Sequence, residues 1–164
     1  MIGMNILRPI TLLALLVNLN ICTGCDNQRV VGIGDEPPEI SGNDIHNEQI
    51  NLKRLKGKVV VLYFWCNSCC AEKLKLLEPL YRQNKNRGLA LLAINIGDGK
   101  DVVESYVKSF GLTFTMMTDE REMIAREYGV FGLPTTFILD DQGIVRQKVL
   151  GAISAEQLQK LVEW

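Results

Sequence analysis

Cys66, Cys69 and Cys70 stand within one short stretch, and no other residues of the chain are crowded in so chemically suggestive a way. A disulfide framework spreads its cysteines to close long loops, which three thiols in one turn cannot do. They read instead as a reactive or metal-holding group. Trp65-Cys66-Asn67-Ser68-Cys69 is a C-x-x-C that follows directly on the apolar run Val59-Val60-Val61-Leu62-Tyr63-Phe64. A strand running into cysteines at a helix start brings them to free amide donors and the positive end of the helix dipole. A thiol there is stabilised as thiolate, the nucleophile of disulfide exchange.

Residues three apart on a helix have Cα atoms about 5 Å apart, inside the range a disulfide accepts. Adjacent residues such as Cys69 and Cys70 have Cα atoms only about 3.8 Å apart, below that range. Cys69 belongs to either pair and ranks first; Cys66 and Cys70 compete to be its partner. A second element is Leu133-Pro134-Thr135-Thr136-Phe137, which leads into a strand. Were Pro134 cis and beside the cysteines, the neighbouring backbone would be open to an incoming polypeptide. Leu133, Thr135 and Trp65 are therefore candidate substrate contacts, with core packing the other role open to Trp65. Glu72 could move a proton if buried with a raised pKa, and is otherwise a solvated helix carboxylate. His46 reads as a surface residue, and Met116 and Met117 as core or strand residues.

The elements that must position these groups follow from periodicity. Val59 to Phe64 and Leu89 to Ile96 are continuous apolar runs, as in strands covered on both faces. Leu74, Leu77, Leu80 and Tyr81 recur at helical spacing, with Pro79 expected to kink the helix. A weak alternation around Ser41-Gly42-Asn43-Asp44 suggests a short hairpin. Lys100 to Phe110 and Glu120 to Tyr128 are predicted helices, flanking a short extended piece at Thr113 to Met117. Thr135 to Leu139 and Ile144 to Leu150 are strands joined by the turn Asp140-Asp141-Gln142-Gly143. Ser154 caps a final helix reaching Trp164, with Gln157 completing a capping box. The fold class is α/β with a closing antiparallel hairpin.

The 164 residues suit one domain plus a short extra segment. A net charge of -1 with interspersed signs lacks the basic face a nucleic-acid partner demands. In the first 24 residues Arg8 is the only charged side chain, an apolar run spans Ile10 to Val17, and Ile21-Cys22-Thr23-Gly24 leads into Cys25. This resembles a bacterial lipoprotein signal with Cys25 as the acylated residue, although Cys22 stands where Leu is usual. The apolar run is shorter than the ~20 residues a membrane span needs. The expected organisation is a signal over 1–24, a tether over 25–38 ending in Pro37-Pro38, and a domain over 39–164. Such a protein sits in the cell envelope, lipid-anchored and facing the periplasm or exterior, where conditions are oxidising.

The domain resembles the thioredoxin superfamily, specifically the extracytoplasmic TlpA/ResA-type disulfide reductases. The likeness is carried by Leu55-Lys56-Gly57-Lys58, Phe64-Trp65, the Gly88 to Asn95 segment, Tyr128-Gly129-Val130, Leu133-Pro134-Thr135-Thr136-Phe137 and Asp141-Gln142-Gly143-Ile144-Val145. It implies a thioredoxin-like fold: a four-stranded core in a central mixed sheet with flanking helices, an N-terminal β-hairpin, a C-terminal hairpin plus helix, and Pro134 in cis. It also implies thiol–disulfide exchange with exported proteins in the reducing direction, a carboxylate role for Glu72, no cofactor, and a membrane-bound electron donor as a possible partner.

The cysteine motif departs from the family pattern F-W-x-x-W-C-x-x-C. Counting forward from Phe64-Trp65 makes Cys69 the first catalytic cysteine, and counting back from Leu74 makes Cys70 the second. The alternative frame keeps W-C-x-x-C-x-x-E from Trp65 through Cys66 and Cys69 to Glu72. Two other functions compete. Three thiols suit soft-metal binding or delivery, above all copper, but copper-delivery relatives add a distant histidine and none follows His46. A peroxide-reducing relative would carry Pro and Thr before its cysteine, where Asn67-Ser68 stand.

Overall fold

The computed structural model describes residues 30–163. The signal over 1–24, the lipidation site Cys25 and Trp164 lie outside the described residues. A hairpin of β1 (Ser41–Asn43) and β2 (Gln49–Asn51) precedes the main sheet. The sheet is built from β3 (Val59–Trp65), β4 (Leu89–Ile96), β5 (Thr115–Asp119), β6 (Thr135–Leu139) and β7 (Val145–Leu150) in the order β5-β4-β3-β6-β7. β3, β4 and β5 run parallel, while β6 is antiparallel to both β3 and β7. The extended piece expected near Thr113 is thus a fifth strand, added to the four expected at the core.

β3 shows why a continuous apolar run marks a central strand. Val61, Tyr63 and Trp65 point into one core, and Val60, Leu62 and Phe64 into the other. Successive side chains alternate between faces, so burial on both sides requires apolar residues at every position. The first core is closed by α1 (Asn67–Leu74), α2 (Glu78–Asn84), α3 (Lys100–Phe110) and α5 (Ala155–Val162). The second is closed by the hairpin, the N-terminal segment and the region of α4 (Met123–Glu127).

The expected break at Pro79 takes a definite form. A 3₁₀ turn over Lys75–Leu77 separates α1 from α2, and Pro79 sits in the first turn of α2, where a missing N–H costs nothing. α4 starts later than its periodicity suggested. The Asp119 carboxylate accepts from the Met123 and Ala125 amides at 2.8 Å each, which fixes the helix start beyond the turn at residues 120–122. Ser154 and Gln157 form the expected capping box.

Part of the expected tether is docked on the domain. The Gly34 amide donates to the Val145 carbonyl at 2.8 Å, and the Val145 amide to the Asp35 carbonyl at 3.0 Å, covering the outer edge of β7. Lys148 Nζ donates to the Val31 carbonyl at 2.9 Å, and the Tyr128 hydroxyl to the Pro38 carbonyl at 2.6 Å. Val31 and Ile40 are buried in the second core. Polar composition made this segment read as linker, but a few apolar residues and backbone pairing suffice to hold it.

Candidate active site

β3 ends at Trp65, and Cys66 is the extended N-cap residue of α1, with φ -128° and ψ 154°. The chain therefore turns from strand to helix at the first sulfur. Cys66 and Cys69 are joined by a disulfide, with Cα atoms 5.6 Å apart. Of the pairings left open by the sequence, the structure takes the one spanning the helix's first turn. Cys70 is a free thiol. Its Sγ lies 2.8 Å from Cys69 Sγ and receives the Cys66 amide at 3.3 Å. Cys69 is exposed, Cys66 half-buried and Cys70 only 5% exposed. Burial pushes the Cys70 thiol pKa up, partly offset by its hydrogen bond with the Cys66 backbone.

Two elements frame this group. The loop after β4 caps α1: Asp98 Oδ2 accepts from the Asn67 amide at 2.9 Å and from Asn95 Nδ2 at 2.9 Å, while Asn95 Oδ1 receives the Asp98 amide at 3.1 Å. On the other side, β6 pairs with β3 with Phe64 opposite Thr135. Leu133 and Pro134 lead directly into β6 and so stand next to this end of its pairing with β3. The Leu133–Pro134 peptide bond is cis.

Burial bears on several of the expected roles. Trp65 is 0% exposed and packs on Tyr106 with ring centroids 5.4 Å apart, the core-packing role left open for it by the sequence. The Thr135 side chain is buried, and its hydroxyl donates to the Gly132 carbonyl at 2.6 Å, shaping the loop before β6. Glu72 has a side chain 71% exposed and ion-paired with Lys75, so the burial that a proton-transfer role needs is missing. Leu133 is half-buried, packed against both cores.

Phe131, which the sequence reading passed over, is 88% exposed in the loop that leads to Pro134. An aromatic between glycines, in Gly129-Val130-Phe131-Gly132, was the available signal. Asn95 and Asp98 were missed as well; a buried Asn closing an apolar strand could have pointed to them. Beneath the sulfurs, the Tyr63 hydroxyl and Trp65 Nε1 are buried without hydrogen-bond partners among the described residues. Burial, then the negative charge of a Cys70 thiolate, raises the Tyr63 pKa. The same effects, with Glu72 between them in weight, push Tyr106 up to about 12.

The arrangement supports one kind of chemistry: reversible exchange at an accessible disulfide on a helix N-terminus beside a prolyl loop. Known proteins agree. The profile of the AhpC/TSA family matches residues 33–148. The thiol-disulfide oxidoreductase ResA of Geobacillus kaustophilus is 31% identical over 163 residues, covering 96% of this chain and 94% of the relative. ResA of Bacillus subtilis is 31% identical over 127 residues, covering 76% of this chain and 71% of the relative. The crystal structure of StoA from Bacillus subtilis superposes with a TM-score of 0.68 at 27% identity, covering 77% of this chain and 98% of that one.

The chain belongs to the AhpC/TSA family of thioredoxin-fold proteins, among its ResA-type members. It is a thiol–disulfide oxidoreductase. The metal-holding alternative gains nothing here, because two of the three clustered sulfurs are bonded to each other.

Proposed function

We propose that this oxidoreductase reduces disulfides in exported polypeptides, outside the cytoplasm, from a lipid anchor on Cys25. The Cys66–Cys69 bond at the head of α1 carries the reading, supported by the cis Leu133–Pro134 bond that leads into β6, the antiparallel neighbour of β3. In the reduced enzyme the Cys69 thiolate, on the most exposed of the three residues, attacks one sulfur of a client disulfide. A mixed disulfide forms and the client's other sulfur leaves as thiolate. The Cys66 thiolate then attacks Cys69 Sγ, releases the client as a dithiol and leaves the Cys66–Cys69 disulfide. A thiol donor, held by a membrane partner, returns the pair to the reduced state. Leu133 and Pro134 lead into β6 beside the end of β3, and the exposed Phe131 ring in the same loop offers an apolar foothold to an unfolded client.

The anchor reading rests on the N-terminal sequence; among the described residues no helix is long and apolar enough to cross a membrane. With residues 31–38 docked, a tether would be confined to the residues before them. Equilibration with glutathione buffers tests the direction: a cluster more oxidising than about -150 mV is an oxidase, and the reductive assignment falls. Metabolic labelling with a fatty acid, lost on Cys25→Ala, tests the anchor.

A further inference from the structure

Cys70 is the one sulfur of the cluster that the exchange cycle above leaves idle, yet its Sγ lies only 2.8 Å from Cys69 Sγ. We propose that Cys70 is a second resolving thiol, which expels the client from Cys69 and then hands Cys69 on to Cys66. The inference rests on the reading that Cys69 carries the client.

The steps balance. With the client bound through Cys69, the Cys70 thiol gives up its proton and its sulfur attacks Cys69 Sγ. The Cys69–client bond breaks, the client sulfur leaves with the electron pair and takes a proton, and a Cys69–Cys70 disulfide remains. The Cys66 thiolate then attacks Cys69, the Cys69–Cys70 bond breaks, and Cys70 is protonated again. The end state is the Cys66–Cys69 disulfide with a free Cys70, which is the state in the structure.

Three observations support this. Cys70 Sγ lies 2.8 Å from Cys69 Sγ, within contact of the sulfur that would carry the client. The Cys66 amide, 3.3 Å from Cys70 Sγ, is placed to stabilise charge forming there. Burial keeps Cys70 from meeting clients directly, and the other two sulfurs of the cluster lie within 4.8 Å. Backbone geometry explains why the cycle does not stop at the neighbouring pair: Cα atoms about 3.8 Å apart are too close for a relaxed disulfide. Cys66 therefore takes over the bond.

The test uses glutathione disulfide as the client, with reduced wild type, Cys66→Ser, and the double variant Cys66→Ser with Cys70→Ala, followed by intact-mass and peptide mass spectrometry. Cys66→Ser should lose its Cys69 glutathione adduct at least roughly tenfold faster than the double variant and accumulate a Cys69–Cys70 disulfide. That release should quicken with rising pH as the buried thiol ionises. An adduct equally long-lived in both variants overturns the inference and leaves the exchange reading standing. So does an adduct that forms in wild type but in neither variant, because Cys66 is then the entering sulfur. If wild type itself takes up no glutathione and keeps all its thiols, both readings fall.

Discussion

Glu78 and the cysteine cluster are both polar groups set into helices on the same face of the sheet, one at the head of α2 and the other at the head of α1. Every contact of Glu78 is made. Its carboxylate accepts from the Thr113 amide at 2.8 Å, the Thr113 hydroxyl at 2.6 Å and Arg82 Nε at 2.5 Å. Burial alone would raise its pKa, but these hydrogen bonds and the Arg82 charge outweigh it and hold the carboxyl below the usual range. The cysteine end is left incomplete: one unbonded thiol, and a buried hydroxyl and indole N–H without hydrogen-bond partners among the described residues. A saturated polar group fixes structure, whereas a thiol with a neighbouring sulfur in reach keeps an alternative bond open.

The contrast can be broken from either side. The largest effect belongs to Cys69→Ala, which should abolish disulfide reduction in an insulin turbidity assay. Its unfolding free energy, compared with that of the reduced wild type, should shift by less than about 1 kcal/mol, because the residue is exposed. Retained turnover would move the chemistry away from Cys69. Glu78→Ala should do the reverse, costing about 2–3 kcal/mol in urea melts while leaving the thiol chemistry intact.

The Glu78 contribution also has a pH signature. A carboxyl whose folded pKa is depressed stabilises the fold above its unfolded pKa, and that stability is lost as pH falls through the folded value. The penalty of Glu78→Gln should therefore be full at about pH 7 and fade below the ordinary carboxylate range. A penalty that is constant with pH would mean the charge is irrelevant there.

A smaller effect is expected where the N-terminal segment docks. Gly129 has φ 62°, and a Cβ there would lie 3.1 Å from Val30 Cα and 2.8 Å from its Cγ1. Gly129→Ala should cost about 1–2 kcal/mol and raise amide exchange around residues 31–38. Unchanged exchange in that segment would show that it is held from elsewhere. The smallest effect is that of Glu72→Gln, expected to change the exchange rate by less than about twofold, as suits an exposed ion pair. A large loss would restore the carboxylate role that its exposure argues against.

Much of the architecture was legible because local patterns and tertiary demands agree. The unbroken apolar run of β3 and the Ser154–Gln157 capping box each encode one solution in a few residues. The turn at Asp140–Gly143 is another, since Asp140 Oδ1 accepts from the Gln142 and Ile144 amides at 3.0 and 2.9 Å. Phe131 was not legible, because exposure is a property of what fails to pack on a residue and leaves no periodicity. Nor was the docking of residues 31–38, whose partners Tyr128, Val145 and Lys148 lie far along the chain.

By itself, then, the amino-acid sequence determined that sulfur arrives at a helix start after a central strand, and that a prolyl strand follows later. Only the tertiary structure decided which sulfurs pair, which is buried, and that Trp65 belongs to the core. The reason is that C-x-x-C-C spacing is compatible with two bonds until a helix boundary is set. The capping of Asn67 by Asp98 and the packing of Cys70 into the core set it, through residues that no local pattern around the cysteines contains.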